Sequence, residues 1–158
     1  MFLTVHVTTG AWIGTVMPNV PAAFFVGVVS HFLLDRVPHY DPPIAPGTAK
    51  DGVLKNPIFQ RFLAIAAIDV ALALVMTAGL VRQLPAGSTR AIVAGAVGGM
   101  FPDLLFGLYR LTNHPWLAAF NRLHAAIHFD PKKIPVTFLT GMATQLATFV
   151  FMLIVLFQ

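Results

Sequence analysis

Two pairs of side chains that commonly bind metal ions are each spaced four residues apart in this chain. His31 precedes Asp35 by four positions, and His124 precedes His128 by the same interval. Residues four apart on a helix share one face, with Cβ atoms about 5–6 Å apart, so each pair can hold one ion from a single helix. An imidazole or carboxylate in apolar surroundings is costly unless it pairs or binds an ion. The two pairs therefore predict a metal site.

Three further residues extend this predicted ligand set. Asp103 follows Pro102, where a helix kink would redirect the carboxylate, and it is a candidate both for metal binding and for catalysis. His6 and His39 add two more imidazoles. The chain has no cysteine. Nitrogen and oxygen donors without sulfur favour Zn²⁺, with Mn²⁺ or Fe²⁺ as alternatives.

Several of the polar residues also have structural interpretations. Asp69 is a candidate catalytic residue, as a general base or as the partner of a ligating histidine, but it could equally cap a neighbouring helix or pair with an arginine. His6 could instead hydrogen-bond a threonine or a carbonyl group, and His39 could be an ordinary loop residue. We interpret Asp41 as a loop residue, and His114 as the start of an interfacial helix because Pro115 follows it.

The composition determines the environment of these side chains. The 158-residue chain is 57% hydrophobic and only 10% charged, with a mean hydropathy of +0.78. Soluble domains have about a quarter of their residues charged, so we infer an integral membrane protein with one transmembrane helical domain over residues 1–158. The ten basic residues are spread over loops, which does not predict nucleic-acid binding. The N-terminus lacks a basic region, so no cleaved signal peptide is expected.

Apolar stretches predict an all-α bundle of about five hydrophobic helices. They cover roughly residues 2–17, 21–37, 58–81, 89–111 and 134–157. The first two are near the lower limit of about 17 residues for a span, so they either cross or form a tilted hairpin. Pro135 suits the first turn of the last helix.

Three other features of the chain complete the predicted fold. Residues 114–129 have apolar side chains at helical spacing, which predicts an interfacial amphipathic helix with Asn121 and Arg122 opposite its apolar face. The 38–57 loop, rich in Pro, Gly and Asp, is expected to lack regular structure. Small residues would permit close helix packing in two series, namely Gly10 and Gly14, and Ala91, Gly95 and Gly99.

The basic residues predict the orientation of the bundle. If all five segments cross, Arg82 and Arg90 fall on one side, and eight basic residues fall on the side of the N-terminus and the two long loops. These eight are Arg36, Lys50, Lys55, Arg61, Arg110, Arg122, Lys132 and Lys133. The positive-inside rule makes that side cytoplasmic, so we expect a prokaryotic inner membrane and a cytoplasmic N-terminus. All six histidines fall in this half of the molecule.

Three short motifs carry a resemblance to a known family. They are His6-x-x-x-Gly10, Ser30-His31-x-x-Leu34-Asp35 and Gly99-x-x-Pro102-Asp103. Linked by hydrophobic helices over most of the chain, they resemble the small membrane-bound metal-dependent hydrolases of bacteria and archaea. Where that family has Pro-Asp-x-Asp-His this chain has Pro102-Asp103-Leu-Leu-Phe, and His124-Ala-Ala-Ile-His128 is nearest to its His-Arg-Gly-x-x-His-Ser. The order of the elements also differs. The resemblance implies metal-dependent hydrolysis.

The leading hypothesis is hydrolysis of an amphiphilic ester or phosphoester near the cytoplasmic interface, with membrane lipids as partners. A bound metal would lower the pKa of a water toward 7, and Arg36 and Arg122 would hold an anionic lipid phosphate. The alternative is a non-catalytic accessory or structural subunit of a larger membrane complex, or a homo-oligomer, which the small-residue helix faces would allow. Transport and bis-histidine haem binding are disfavoured because the histidines occupy one half of the bilayer and do not pair on facing spans.

Overall fold

The computed structural model describes residues 1–83, 89–130 and 134–156, and in these ranges it contains helices and no strand. Its α-helices are α1 (Leu3–Val16), α2 (Val20–Leu34), α3 (Pro57–Gln83), α4 (Thr89–Thr112), α5 (Pro115–Ile127) and α6 (Phe138–Leu156). The predicted all-α bundle of five hydrophobic helices and one amphipathic helix is confirmed. Lys132 and Lys133, which contribute to the predicted charge bias, lie outside the described residues.

The turn between α1 and α2 forms where prolines interrupt the apolar sequence. Asn19 caps α2, and its side-chain oxygen accepts a hydrogen bond from the Ala22 N–H at 2.9 Å. Pro21 lies in the first turn, where a backbone N–H would have no intrahelical acceptor. The lack of an N–H in proline therefore costs no hydrogen bond there. The helix ends at Leu34, three residues before the end of the predicted segment, so Asp35 takes the C-cap position.

The start of α6 differs from the prediction. The helix begins at Phe138, so Pro135 precedes it instead of lying in its first turn. The Thr137 hydroxyl accepts a hydrogen bond from the Thr140 N–H at 3.2 Å. A threonine that accepts from the third residue of a helix satisfies one of the free N–H groups there, and this local signal sets the boundary.

The 38–57 loop contains regular structure, contrary to the expectation from its composition. Short 3-10 helices cover Ala49–Asp51 and Val53–Lys55. Ala45 packs with Phe59 of α3 in a small buried core. The Arg110 guanidinium of α4 donates to the Ala45 carbonyl oxygen and lies over the Phe59 ring. Burial of these apolar loop residues holds the loop against the bundle.

The predicted small-residue faces form a close crossing of helices. α1 packs most closely on α4 and also contacts α2, α3 and α6. A Cβ atom added at Gly10 or Gly95 would overlap the carbonyl oxygen of the other residue, and one at Gly99 would overlap the His6 carbonyl oxygen. Only glycine permits so close a backbone approach. The crossing therefore brings His6 of α1 beside α4.

α5 confirms the predicted amphipathic helix. Leu117 and His124 are its buried residues, whereas Trp116 and Leu123 are exposed. Residues 117 and 124 lie seven apart on one helix face, so this face contacts the bundle. His114 occupies the N-cap position but makes no capping hydrogen bond through its side chain.

Three helices are long and apolar enough to cross a membrane, namely Pro57–Gln83, Thr89–Thr112 and Phe138–Val155. Large apolar side chains on the outer surface, such as Leu139 at 76% exposure, suit contact with lipid. α1 has 14 residues and would be about 21 Å long, shorter than a bilayer core of about 30 Å. The α1–α2 hairpin is therefore short, and its polar end lies beside the middle of α3 and α4.

Candidate metal centre

The buried carboxylate of Asp35 lies at the centre of a histidine cluster. Its Oδ2 atom lies 3.0 Å from His31 Nε2 and 3.2 Å from His124 Nε2. Its Oδ1 atom lies 3.1 Å from His6 Nε2. These residues come from α1, the end of α2 and α5, and all four are buried. The fold thus concentrates imidazole groups around one carboxylate.

Three of these atoms have the spacing of metal ligands. His31 Nε2 and His124 Nε2 lie 3.2 Å apart, so with Asp35 Oδ2 they form a triangle with edges of 3.0, 3.2 and 3.2 Å. A tetrahedral zinc ion with bonds of about 2.0–2.1 Å separates its ligand atoms by about 3.4 Å. The triangle therefore fits one face of a metal coordination tetrahedron, which we call the His31 triangle.

Asp103 offers a fourth donor beside the His31 triangle. Its Oδ1 atom lies 3.7 Å from His31 Nε2 and 3.9 Å from His124 Nε2. α4 continues through Pro102, and Asp103 follows it directly. The Asp103 side chain is 32% exposed, so one side faces the cluster while the other is open to an adjoining cavity.

Backbone carbonyls orient three of the histidine rings. His31 Nδ1–H donates to the Gly99 carbonyl oxygen at 2.8 Å. His39 and His128 donate in the same way to nearby backbone carbonyls at 2.6 and 2.9 Å. A proton on Nδ1 leaves Nε2 with a lone pair, and ligating histidines commonly have this second hydrogen bond. All three rings therefore present Nε2 to the cluster.

His6 is buried beside the His31 triangle. Its ring stacks on His31 with ring centroids 4.0 Å apart. Among the described residues, Nδ1 has no hydrogen-bond partner, and Nε2 faces only the Asp35 carboxylate, whose Oδ1 is 3.1 Å away but outside hydrogen-bond geometry. The expected hydrogen bond from His6 to a threonine or a carbonyl group is therefore not formed within the described residues. A buried imidazole that does not use its hydrogen-bonding capacity is costly, and a cation beside Nε2 would remove part of that cost.

A second group of donors adjoins the first. Asp41 Oδ2 lies 3.0 Å from His39 Nε2 and 3.2 Å from His128 Nε2. The Met1 ammonium donates hydrogen bonds to His39 Nε2 at 2.7 Å and to Asp35 Oδ1 at 3.0 Å, and it lies 3.2 Å from Asp41 Oδ1. Our interpretation of Asp41 as an ordinary loop residue is wrong, because the folded loop turns its carboxylate into the cluster.

The ionisation of Asp41 and His128 reflects this contact. Burial alone would raise the pKa of the Asp41 carboxyl, but hydrogen bonds from His128 and His39 outweigh it and hold the pKa well below its usual range. Burial alone would lower the pKa of His128, but the hydrogen bond to Asp41 and the charge of Asp35 outweigh it and raise the pKa. The carboxylates of Asp41 and Asp35 therefore stabilise a positive charge on the neighbouring His128 ring.

Asp69 caps α1 and forms no contact with a histidine among the described residues. Its two carboxylate oxygens accept hydrogen bonds from the Leu3 N–H at 2.5 Å and the Thr4 N–H at 3.1 Å, and the Thr4 hydroxyl also donates to it. Gln145 of α6 accepts from the Phe2 N–H at 2.7 Å. The free N–H groups of a helix N-terminus are thus satisfied by α3 and α6. The geometry is that of the capping alternative for Asp69.

A cavity of about 940 Å³ opens beside the cluster. Its polar end contains Asp41, Asp103, His124 and His128, and its walls are largely apolar side chains of α3 and α4, with Asp69 among them. Arg36 also lines it. The wall residues include Leu63, Ile65, Leu104, Leu108 and Leu111. The volume lies in the range of about 300–1,000 Å³ that is typical of ligand pockets.

The structure brings together all seven residues for which we predicted metal binding: His6, His31, Asp35, His39, Asp103, His124 and His128. Asp69 alone among the candidates makes its contacts elsewhere, while His114 is exposed. Sequence reasoning missed Asp41 and Gln145. The spacing of His39 and Asp41, two residues apart after Pro38, was the available signal for Asp41.

Comparison of the chain with protein-family models, with curated proteins and with solved structures gives no match. The chemistry of the cluster is therefore inferred from the geometry of its own side chains.

Proposed function

We propose that this protein is a membrane-embedded, metal-dependent hydrolase of an amphiphilic ester or phosphoester. The observation that carries the proposal is the His31 triangle, whose three donor atoms are separated by 3.0–3.2 Å. Zinc is the metal that best suits this donor set, with Mn²⁺ or Fe²⁺ as alternatives. The motif resemblance to the small membrane-bound metal-dependent hydrolases points to the same activity.

The side chains around the triangle divide the chemical tasks. When bound, a divalent cation would supply a water of pKa near 7 and polarise the substrate oxygen. His31, Asp35 and His124 would hold it, and His6 would add a nitrogen beside Asp35. Asp103 faces both the triangle and the cavity, so it can serve as a further ligand or accept a proton at its exposed oxygen.

The adjoining cavity supports an amphiphilic substrate. Its polar end meets the triangle at His124 and Asp103, while its walls on α3 and α4 are apolar. A lipid-like molecule would place its ester or phosphoester at the polar end and its tail along the walls. Arg36 lines the cavity and can pair with an anionic headgroup, whereas Arg122 is exposed on α5 outside the lining.

The proposed location is a prokaryotic inner membrane with the site on the cytoplasmic side. The distribution of basic residues carries this orientation. Contacts between the end of α2 and the end of α5 support placing these two helix ends on the same side, since the Arg36 guanidinium donates to the Ile127 carbonyl oxygen at 3.3 Å. The Phe129 N–H likewise donates to the Asp35 carbonyl oxygen at 2.7 Å.

Metal content and turnover test the proposal together. Full-length protein would be purified in mild detergent without chelator as wild type, His31→Ala and His114→Ala. We expect bound Zn, Mn or Fe in the wild type and in His114→Ala, whose altered side chain is exposed and outside the cluster, and loss of metal in His31→Ala. Chromogenic esters and phosphodiesters with alkyl chains of increasing length would then be hydrolysed faster as the chain lengthens.

Two results would separate the alternatives. Wild-type protein that neither retains nor takes up a divalent metal would refute the metal-dependent hydrolase. Bound metal without turnover on any chain length, together with co-purification of another membrane protein at fixed stoichiometry, would support the accessory-subunit alternative.

A further inference from the structure

The histidine cluster contains more donors than one cation needs. Besides the His31 triangle, a second set of three groups has ligand atoms within 4.8 Å of one another, formed by Asp35, His39 and His128. Asp35 belongs to both sets. A carboxylate has two oxygens and about four lone-pair sites, so it can serve two cations.

The second set has its own carboxylate. Asp41 Oδ2 lies 3.0 Å from His39 Nε2 and 3.2 Å from His128 Nε2, close to the edges of the His31 triangle. Each half of the cluster therefore has two histidines and one aspartate of its own: His31, His124 and Asp103 in one half, and His39, His128 and Asp41 in the other. Asp35 lies between them, with Oδ2 3.2 Å from His124 Nε2 and 3.8 Å from His128 Nε2.

The histidines of the second set are oriented as ligands. His39 and His128 each donate Nδ1–H to a backbone carbonyl, which directs Nε2 toward Asp41. His39 is almost fully buried, so its ring is held by the protein and not by solvent. This is the arrangement that second hydrogen bonds give to ligating histidines.

The charge of the cluster allows two cations. With neutral histidines, the carboxylates of Asp35, Asp41 and Asp103 contribute three negative charges and the Met1 ammonium contributes one positive charge, which gives a net charge of −2. One divalent cation balances this charge, and two leave a net charge of +2, which would attract an anionic substrate. Asp35 is buried, whereas Asp41 and Asp103 are partly exposed, so solvent lowers the cost of the positive charge near those two carboxylates.

We propose that His39, Asp41 and His128 bind a second divalent cation and that the Asp35 carboxylate bridges the two. This inference rests on the proposed function and narrows its substrate class. Paired cations stabilise the attacking and leaving oxygens of an in-line displacement at phosphorus. The dinuclear centre therefore selects an amphiphilic phosphoester over a carboxylic ester.

Metal stoichiometry tests the second site without reference to activity. Full-length wild type, His39→Ala, Asp41→Asn, His124→Ala and His114→Ala would be dialysed against Mn²⁺ and then against metal-free buffer. We expect two Mn²⁺ per chain in the wild type and in the exposed-histidine control His114→Ala. We expect one in each of the other variants. Asp41→Asn preserves shape at a position that is 41% exposed, so it keeps the test valid if His39→Ala fails to fold.

Electron paramagnetic resonance of the Mn²⁺-loaded protein tests the bridge. Cations about 3.5–4 Å apart through a shared carboxylate couple magnetically, so wild type would give the spectrum of a coupled pair. Asp41→Asn would give the hyperfine pattern of an isolated Mn²⁺. Two uncoupled ions in the wild type would overturn the bridging role of Asp35.

The stoichiometry also separates the two proposals. One Mn²⁺ in the wild type, still one in Asp41→Asn and none in His124→Ala would overturn the second site and leave the proposed function standing. No Mn²⁺ in the wild type would overturn both.

Discussion

Two buried or half-buried aspartates, Asp35 and Asp69, show how the same side chain can be used in opposite ways. Asp69 accepts hydrogen bonds from two backbone N–H groups and a hydroxyl of α1, all of them neutral donors. Asp35 accepts a hydrogen bond from the Met1 ammonium at 3.0 Å and is otherwise surrounded by imidazole Nε2 atoms of His6, His31 and His124. Backbone donors satisfy a carboxylate by themselves, whereas imidazole nitrogens with lone pairs do so only with a proton or a cation.

The difference has a structural origin. α1 begins at Leu3 beside the middle of α3, so its free N–H groups lie within reach of Asp69. Asp35, by contrast, lies at the C-terminus of a helix, α2. A helix C-terminus has free carbonyl groups and no free N–H groups. A carboxylate at a helix C-terminus is disfavoured by the helix dipole, so its burial there calls for positive charge, part of which the Met1 ammonium supplies.

Removing the charge of Asp35 should have the largest effect. Asp35→Asn keeps the size of the side chain but loses the carboxylate shared by both donor sets. Removing a residue that only hydrogen-bonds to a metal ligand lowers metal affinity about 10–100-fold. Because Asp35 is itself a proposed ligand, we expect metal affinity to fall by at least about 100-fold. Equilibrium dialysis followed by elemental analysis would measure it. Retention of wild-type affinity would show that Asp35 is a structural residue like Asp69.

A methyl group at Gly99 should have the next largest effect. Gly99→Ala would push α1 away from α4, because the new Cβ overlaps the His6 carbonyl oxygen, and would displace the carbonyl that orients His31. We expect a loss of about 1–3 kcal/mol in the free energy of unfolding, measured in mixed micelles, together with weaker metal binding. Gly79→Ala is the matched control, since no atom lies within 4 Å of its added Cβ.

Asp69→Asn should separate stability from metal binding. The amide keeps one acceptor oxygen but loses the charge and the second acceptor at the start of α1, so we expect about 1–3 kcal/mol of destabilisation. Metal content should stay at the wild-type value, because Asp69 makes its hydrogen bonds to Leu3 and Thr4 and not to a histidine. A loss of metal without a loss of stability would restore the predicted catalytic or supporting role of Asp69.

Thr4→Val should have the smallest effect. The valine removes one hydroxyl donor to Asp69 and leaves both backbone N–H groups in place. We expect about 1 kcal/mol of destabilisation, measured by thermal unfolding in detergent, and unchanged metal affinity. The double variant with Asp69→Asn should add little, because the two changes remove the same hydrogen bond.

The sequence predicts those features that depend on local geometry. Apolar stretches place the five hydrophobic segments, helical spacing places α5, and the i, i+4 rule pairs His31 with Asp35 and His124 with His128. The small residues at Gly10, Gly95 and Gly99 predict the close crossing.

Other features depend on which distant segments meet, and the sequence leaves them open. Asp41 enters the cluster only because the loop folds against α3 and α4, where Arg110 binds the Ala45 carbonyl. Asp69 caps α1 only because α1 begins at that depth. Both positions depend on how segments far apart in the sequence pack together. The spacing of neighbouring residues in the sequence does not predict such packing.

The most direct measurement is anomalous X-ray diffraction at the zinc absorption edge from crystals of the zinc-loaded wild-type protein. We predict a peak about 2.0–2.1 Å from both His31 Nε2 and His124 Nε2, with Asp35 Oδ2 as a third ligand, and no peak near Asp69. A map without a peak at full zinc loading, with the three donor atoms bonded to water or to one another, would contradict the metal centre.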